Sequence, residues 1–257
     1  MKYIYSLMAI AALSWLVIEF IRTPAMDYDD LIARNYPAVT VPDFIERLDK
    51  DERWFSEIRI DTSRLWLSHR ELHSLNLEKV AIRDPGYRNE RANGRLKLNE
   101  MKIRHRFDLT TMTLKEIEVI DCAINKDARV RSAFKDFNVP AGIKITGCDW
   151  AGLDLEDLEM SSLEIADTTF SGDLRLKNVT VVGPTFDPAI LNLSSIYVKG
   201  DLVLSNVTVH AIDLRDIRVS GRIDLADLTP ESVGRILIDP DQATRLAHAA
   251  PDIPLSY

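Results

Sequence analysis

The chain is poor in cysteine, with only Cys122 and Cys148 among 257 residues, and this excludes a disulfide-stapled scaffold. Both are expected as buried thiols acting as small hydrophobes. A bridge would need Cα atoms within about 7 Å, and the repeat described below separates the two by five units, one corner off vertical stacking. Catalytic signatures are also missing: there is no nucleophile elbow, glycine-rich phosphate loop or zinc signature. No cofactor and no metal is expected. A basic balance is absent too. The formal net charge of −8 excludes non-specific nucleic-acid binding over the whole surface. Apolar content of 46% and charged content of 28% are ordinary for a folded protein, with room for one sizeable domain and an accessory segment.

The accessory segment comes first. Residues 4–18, IYSLMAIAALSWLVI, carry no charge, and with Phe20 and Ile21 the run approaches a minimal membrane span. It reads as an uncleaved anchor or a cleaved signal segment, although Thr23-Pro24-Ala25 fits a cleavage site only loosely. Lys2 precedes the run and Asp27, Asp29 and Asp30 follow it, so the positive-inside rule places the bulk of the chain outside the cytoplasm, periplasmic or at the cell surface. Residues 1–22 are thus assigned to the anchor or signal and 23–41 to a linker containing Pro24 and Pro37. Residues 42–60 are expected as a helical cap opened by Pro42 and running to about Phe55, with Ile45, Leu48 and Trp54 on its apolar side.

From 61 to 228 the sequence repeats in fives. Between Ile143 and Phe170 it reads IKITG, CDWAG, LDLED, LEMSS, LEIAD, TTF. The first and third places of each unit are apolar but for Thr168, and the intervening residues are mostly polar. A helix face would return at three and four residues, and a lone strand would simply alternate. An apolar-x-apolar-x-x unit held in register describes a short strand, a corner and another short strand. GDLRLKNVTV at 172–181 recurs as GDLVLSNVTV at 200–209, and Gly152, Gly172, Gly200 and Gly221 recur at spacings of 20, 28 and 21. Four units per coil follow, about 20–21 residues, with six or seven coils between Leu65 and Leu228. The glycines would line one corner in a conformation with positive φ. Interruptions fall at 83–95 and 182–190. The expected fold is all-β: a right-handed parallel β-helix with short helical caps. The C-terminal cap and tail, 229–257, would hold one helix from Thr229 through Val233 and Ile236, and a second from Asp239 through Ala243 and Leu246.

LDLED, LEMSS and LEIAD, within 65–228, resemble the pentapeptide-repeat family, which implies a right-handed four-sided β-helix. That family usually has a small residue where this chain has Ile143, Leu153, Leu158 and Leu163. The bulk points to a wider coil and leaves a three-faced relative open.

Two charged stretches are candidates for function. Arg83, Arg88, Arg91, Arg95, Lys97, Lys102, Arg104 and Arg106 surround the 83–95 loop. They form the candidate binding region for a protein partner or for anionic glycan or lipid outside the membrane. With Tyr87 as its one aromatic, the region lacks stacking groups for single-stranded nucleic acid, and no direct nucleic-acid contact is expected. Between Lys144 and Arg175 the charged residues are all acidic, which suits either a cation or basic partner, or strands solvated by their outward side chains. Stacking coils would set Lys144 on Glu164 and Asp154 beside Arg175. His69, Glu71 and His73 have ligand chemistry, but a corner falls between the histidines and keeps them from converging. The leading reading is a membrane-anchored β-solenoid that binds or scaffolds without catalysis. A carbohydrate-active lyase or hydrolase would have to use Asp154, Glu156 and Arg175. The family resemblance implies a third reading, a nucleic-acid mimic that binds topoisomerases.

Overall fold

A computed structural model describes residues 36–85, 94–125, 131–183, 188–225, 227–242 and 252–256. The anchor or signal at 1–22 lies outside them, and among the described residues no helix is long and apolar enough to cross a membrane.

The five-residue pattern winds a parallel β-solenoid of about nine turns. One coil shows the rule. Leu163–Ala166 forms a first face and Thr169–Phe170 a second; the strand Leu174–Val181 covers a third and, past a bend at Asn178, a fourth. Every rung pairs in parallel with its neighbour, Ile143 with Leu163 and Leu153 with Leu174, spacings of 20 and 21 residues. The bulky residues Ile143, Leu153, Leu158 and Leu163 all point inward and are buried. Each such side chain contributes roughly 1.5–3 kcal/mol relative to exposure. Four strand segments per coil fill a lumen wide enough to take two large side chains per face.

Two corners of each coil turn through left-handed backbone. Asp121, Gly147, Asp167, Ser195 and Asp216 are among those doing so between the first and second faces; Asp136, Asp157, Asn178 and Asn206 do so between the third and fourth. Asp and Asn tolerate this region because their short side chains hydrogen-bond locally, and here they also ladder: Asn178 donates to Asp157 at 2.7 Å and Asn206 to Asn178 at 2.9 Å. The glycines have a different reason from the one expected. Gly172, Gly200 and Gly221 do share a corner, between the second and third faces, but without positive φ. A Cβ on Gly221 would sit 2.3 Å from the Gly200 carbonyl oxygen, so close stacking requires glycine there.

The ends differ from the sequence reading. Helix α1, Val41–Asp49, is capped by Thr40, whose Oγ1 accepts from the Asp43 N–H at 3.2 Å. It buries Phe44 and Leu48, with the Phe44 ring 4.4 Å from Phe55. It stops at Asp49, and Asp51 turns left-handed. Trp54 belongs to a strand, Trp54–Ser56, and is exposed. The solenoid therefore starts before residue 61. At the other end the helix expected from Thr229 is a single turn, with the Val233 N–H donating to the Thr229 carbonyl at 2.9 Å. Val233–Leu237 then continues as a strand on the open rung, setting Ile236 on Ile212. Capping chemistry starts a turn, but an unpaired parallel edge offers the next residues a full ladder. Among the described residues a 3-10 turn, Pro240–Gln242, follows; Ala243 and Leu246 lie outside them, and Leu255–Ser256 pairs with the preceding rung.

Cys122 and Cys148 also depart from expectation. Ile117 pairs with Ile143, so this coil is 26 residues long, and the extra residues bring the two cysteines onto one column.

Candidate binding surface

The solenoid spreads the basic stretch around the coil instead of gathering it. Arg95 and Lys97 project from the first face, in the strand Arg95–Asn99. Lys102 projects from the second, in Lys102–Ile103, with Arg104 and Arg106 following toward the third. Arg83 ends the fourth-face strand Ala81–Arg83, and Arg88 and Arg91 lie outside the described residues. Of the six that are described, four have an ion pair, three of them one rung away. Arg95 Nε lies 3.0 Å from Glu116, Lys97 Nζ 2.8 Å from Glu118, and Arg104 2.5 Å from Glu71; within its own coil, Arg106 lies 3.9 Å from Asp108. The Arg104 guanidinium holds the Glu71 carboxyl below its ordinary pKa.

Part of the acidic stretch is neutralised in the same way. Lys144 meets Glu164 at 2.9 Å, and Asp154 stands in register with Arg175, both as the repeat predicts. Asp154 also lies 3.4 Å from Arg131, and Asp173 lies 3.0 Å from Arg131 and 2.8 Å from Arg175. Glu156 is clamped between Lys135 and Lys177, whose hydrogen bonds hold its pKa at about 2. A glycosidase acid needs the opposite shift, so Glu156 does not supply one. Because the folded pKa lies below the ordinary 4.5, the clamp stabilises fully above pH 4.5 and its contribution is lost as pH falls toward 2. Glu156→Gln is expected to cost about 0.5–1 kcal/mol at pH 7, since the pair is open to solvent. Urea midpoints of variant and parent should converge as pH falls through that window; a constant difference would show that the carboxylate charge is not responsible.

The histidines do not converge. His69 Nδ1 faces Glu100 at 3.1 Å, and the His73 ring packs on His105 at 5.5 Å. Among the described residues no group of three His, Cys, Asp or Glu could hold a metal ion.

The second face stands apart. Its outward column runs Glu71, Lys102, Ala123, Asp149, Thr169, Tyr197, Arg218 in continuous register. Lys102, Asp149 and Arg218 have no ion pair among the described residues. Clefts mark both ends of the face. One, about 480 Å³, is lined by Glu71, Lys102, Ile103, Arg104, Ala123 and Asn125. The other, about 420 Å³, is lined by residues including Asp167, Thr169, Tyr197, Asp216 and Arg218.

No family model matches the chain, and no curated protein matches its sequence.

Among the described residues, Lys102 and Arg104 are the members of the basic stretch that line these clefts. The C-terminal cleft went unread because its residues come from three coils, in two-residue strands too short to alternate. Stacking TF, YV and RV in register would have placed Thr169, Tyr197 and Arg218 together.

Proposed function

We propose that the chain is a membrane-tethered, extracytoplasmic β-solenoid of pentapeptide-repeat type, right-handed, that binds an anionic partner on its second face and performs no catalysis. The observation that carries this reading is the contrast between faces. On the first and third faces Lys97, Lys144 and Lys177 each pair with a glutamate one rung away, whereas on the second Lys102 and Arg218 border clefts and have no ion pair among the described residues. Five rungs separate these two cations, roughly 24 Å at the spacing of paired strands. That span suits an extended polyanion, an acidic glycan or a row of lipid head groups. The apolar run at 4–21 supplies the tether and the outward orientation.

The test uses the full chain extracted from membranes. Binding to an acidic polysaccharide and to vesicles containing anionic lipid is measured alongside Lys102→Glu and Arg218→Glu. Each reversal is expected to weaken binding about tenfold at low salt, with the difference shrinking as salt rises. Unchanged binding in both variants, or turnover of the polysaccharide that Glu156→Gln abolishes, would overturn the proposal. Fractionation of cells addresses the tether separately.

A further inference from the structure

Cys122 and Cys148 occupy matching positions on adjacent coils, each at the start of a second-face segment, and both point into the lumen and are buried. Adjacent paired strands lie about 4.8 Å apart, inside the Cα separation a disulfide spans, about 4.4–6.8 Å. The contact is direct: the Cys122 N–H donates to Cys148 Sγ at 3.3 Å. We infer that Cys122 and Cys148 are a disulfide-forming pair that staples two successive coils when the protein meets a disulfide donor.

The surroundings accommodate the bond. In the thiol form Cys122 donates to the Ile120 carbonyl at 3.2 Å and Cys148 to the Thr146 carbonyl at 3.3 Å. Each of those carbonyls also accepts a backbone N–H, from Glu100 at 3.0 Å and Asp121 at 2.9 Å, so losing both thiol protons strands no acceptor. The sulfurs keep their acceptor roles toward the N–H groups of Met101 and Cys122. Thr168 continues the column, its Oγ1 accepting from the Cys148 N–H at 3.4 Å and donating to the Ala166 carbonyl. A hydroxyl therefore replaces a thiol here without disturbing the ladder.

The step is an exchange. The Cys122 thiolate attacks one sulfur of a low-molecular-weight disulfide, forming a mixed disulfide and releasing one thiol. Deprotonated Cys148 then attacks Cys122 Sγ and expels the second thiol. Two protons leave the protein, two electrons reduce the donor, and one S–S bond forms. Cys122 goes first because, once it is a thiolate, the Cys148 S–H turns from the Thr146 carbonyl to donate to it, which lowers the Cys122 pKa, while the same contact and burial raise that of Cys148.

The experiment exposes the reduced, full-length protein to oxidised glutathione, followed by denaturation, alkylation and intact mass measurement. The expected result is loss of both alkylation sites with the mass of two hydrogens, a Cys122–Cys148 cross-linked peptide, a monomer on a non-reducing gel, and a thermal midpoint raised by roughly 5–10 °C. Cys148→Ser should fold, keep the hydrogen-bond column and show no midpoint shift with the oxidant. Two thiols still alkylated, glutathione retained on either cysteine, or a bridge between chains would overturn the inference, and these readouts on the parent chain decide it even if the variant fails to fold. Where in the cell the bond forms rests on the extracytoplasmic reading. Its formation in the purified chain does not, so a cytoplasmic fractionation result would sink that reading and leave this one standing.

Discussion

Trp150→Ala is expected to cost about 3–5 kcal/mol, lowering the thermal midpoint by roughly 6–20 °C. Trp150 sits in the lumen, 2% exposed, within a column of rings. Its centroid is 6.1 Å from Phe107, 6.0 Å from Phe134 and 6.4 Å from Phe170. With Trp150 these rings come from four successive coils, so truncation empties the junction of several rungs at once. The walls cannot collapse inward, because every rung is fixed by backbone pairing on both sides. Trp150→Phe separates packing from polarity. The indole Nε1 is buried without a partner, so replacing it removes an unmet donor as well as volume, and the net cost should stay below about 1.5 kcal/mol. Coils in a solenoid contact only their neighbours. Amide exchange in Trp150→Ala should therefore quicken first at Ala123–Ile124 and Thr169–Phe170 and last at the end rungs. A loss below about 1 kcal/mol would mean the lumen is not packed around this ring.

The repeat was legible because its two inward positions per unit obey one physical demand, burial in a shared lumen, and nothing else along those faces competes with it. Ile143, Leu153 and Leu163 therefore declare their direction from spacing alone. Corners are less legible. The backbone there needs a left-handed residue, yet Glu57, His69, Lys79 and Glu100 fill that position as well as Asp and Asn do. Ladder pairing on both sides supplies the energy to hold side chains that would avoid the region in isolation. The ends misled for a related reason. Thr229 and Ser232 carry genuine capping chemistry, but the rung ending at Asp213 binds Val233–Leu237 more strongly than a short isolated helix could hold it.

The candidate site was half legible. Clustering in sequence pointed to Lys102 and Arg104, but it also gathered Arg95 and Lys97, which the next coil neutralises. Which cation has a partner depends on register across coils. The coil lengths of 26 and 28 residues, Ile117 to Ile143 and Leu163 to Leu191, break any fixed count. The same inserted residues hid the pairing of Cys122 with Cys148.

Gly142→Ala is expected to cost about 2–6 kcal/mol. Two causes add. Gly142 has φ +120, a conformation that L residues rarely adopt, and forcing alanine into it costs on the order of 1–3 kcal/mol. A Cβ would also lie 2.1 Å from Ser162 Oγ and 2.4 Å from the Ser162 carbonyl oxygen, an overlap worth about 1–3 kcal/mol once neighbours shift. The hydroxyl can rotate away, but the carbonyl cannot, because it accepts the Ile143 N–H at 3.0 Å and holds the first-face rungs together. Removing the hydroxyl should therefore rescue little: Gly142→Ala with Ser162→Ala is expected to recover less than about 1 kcal/mol of the loss. Urea unfolding of the single and double variants at constant m-value measures both quantities. Full rescue by Ser162→Ala would show that the obstruction is the side chain, and that the backbone at this corner has room the close stacking of its coils does not provide.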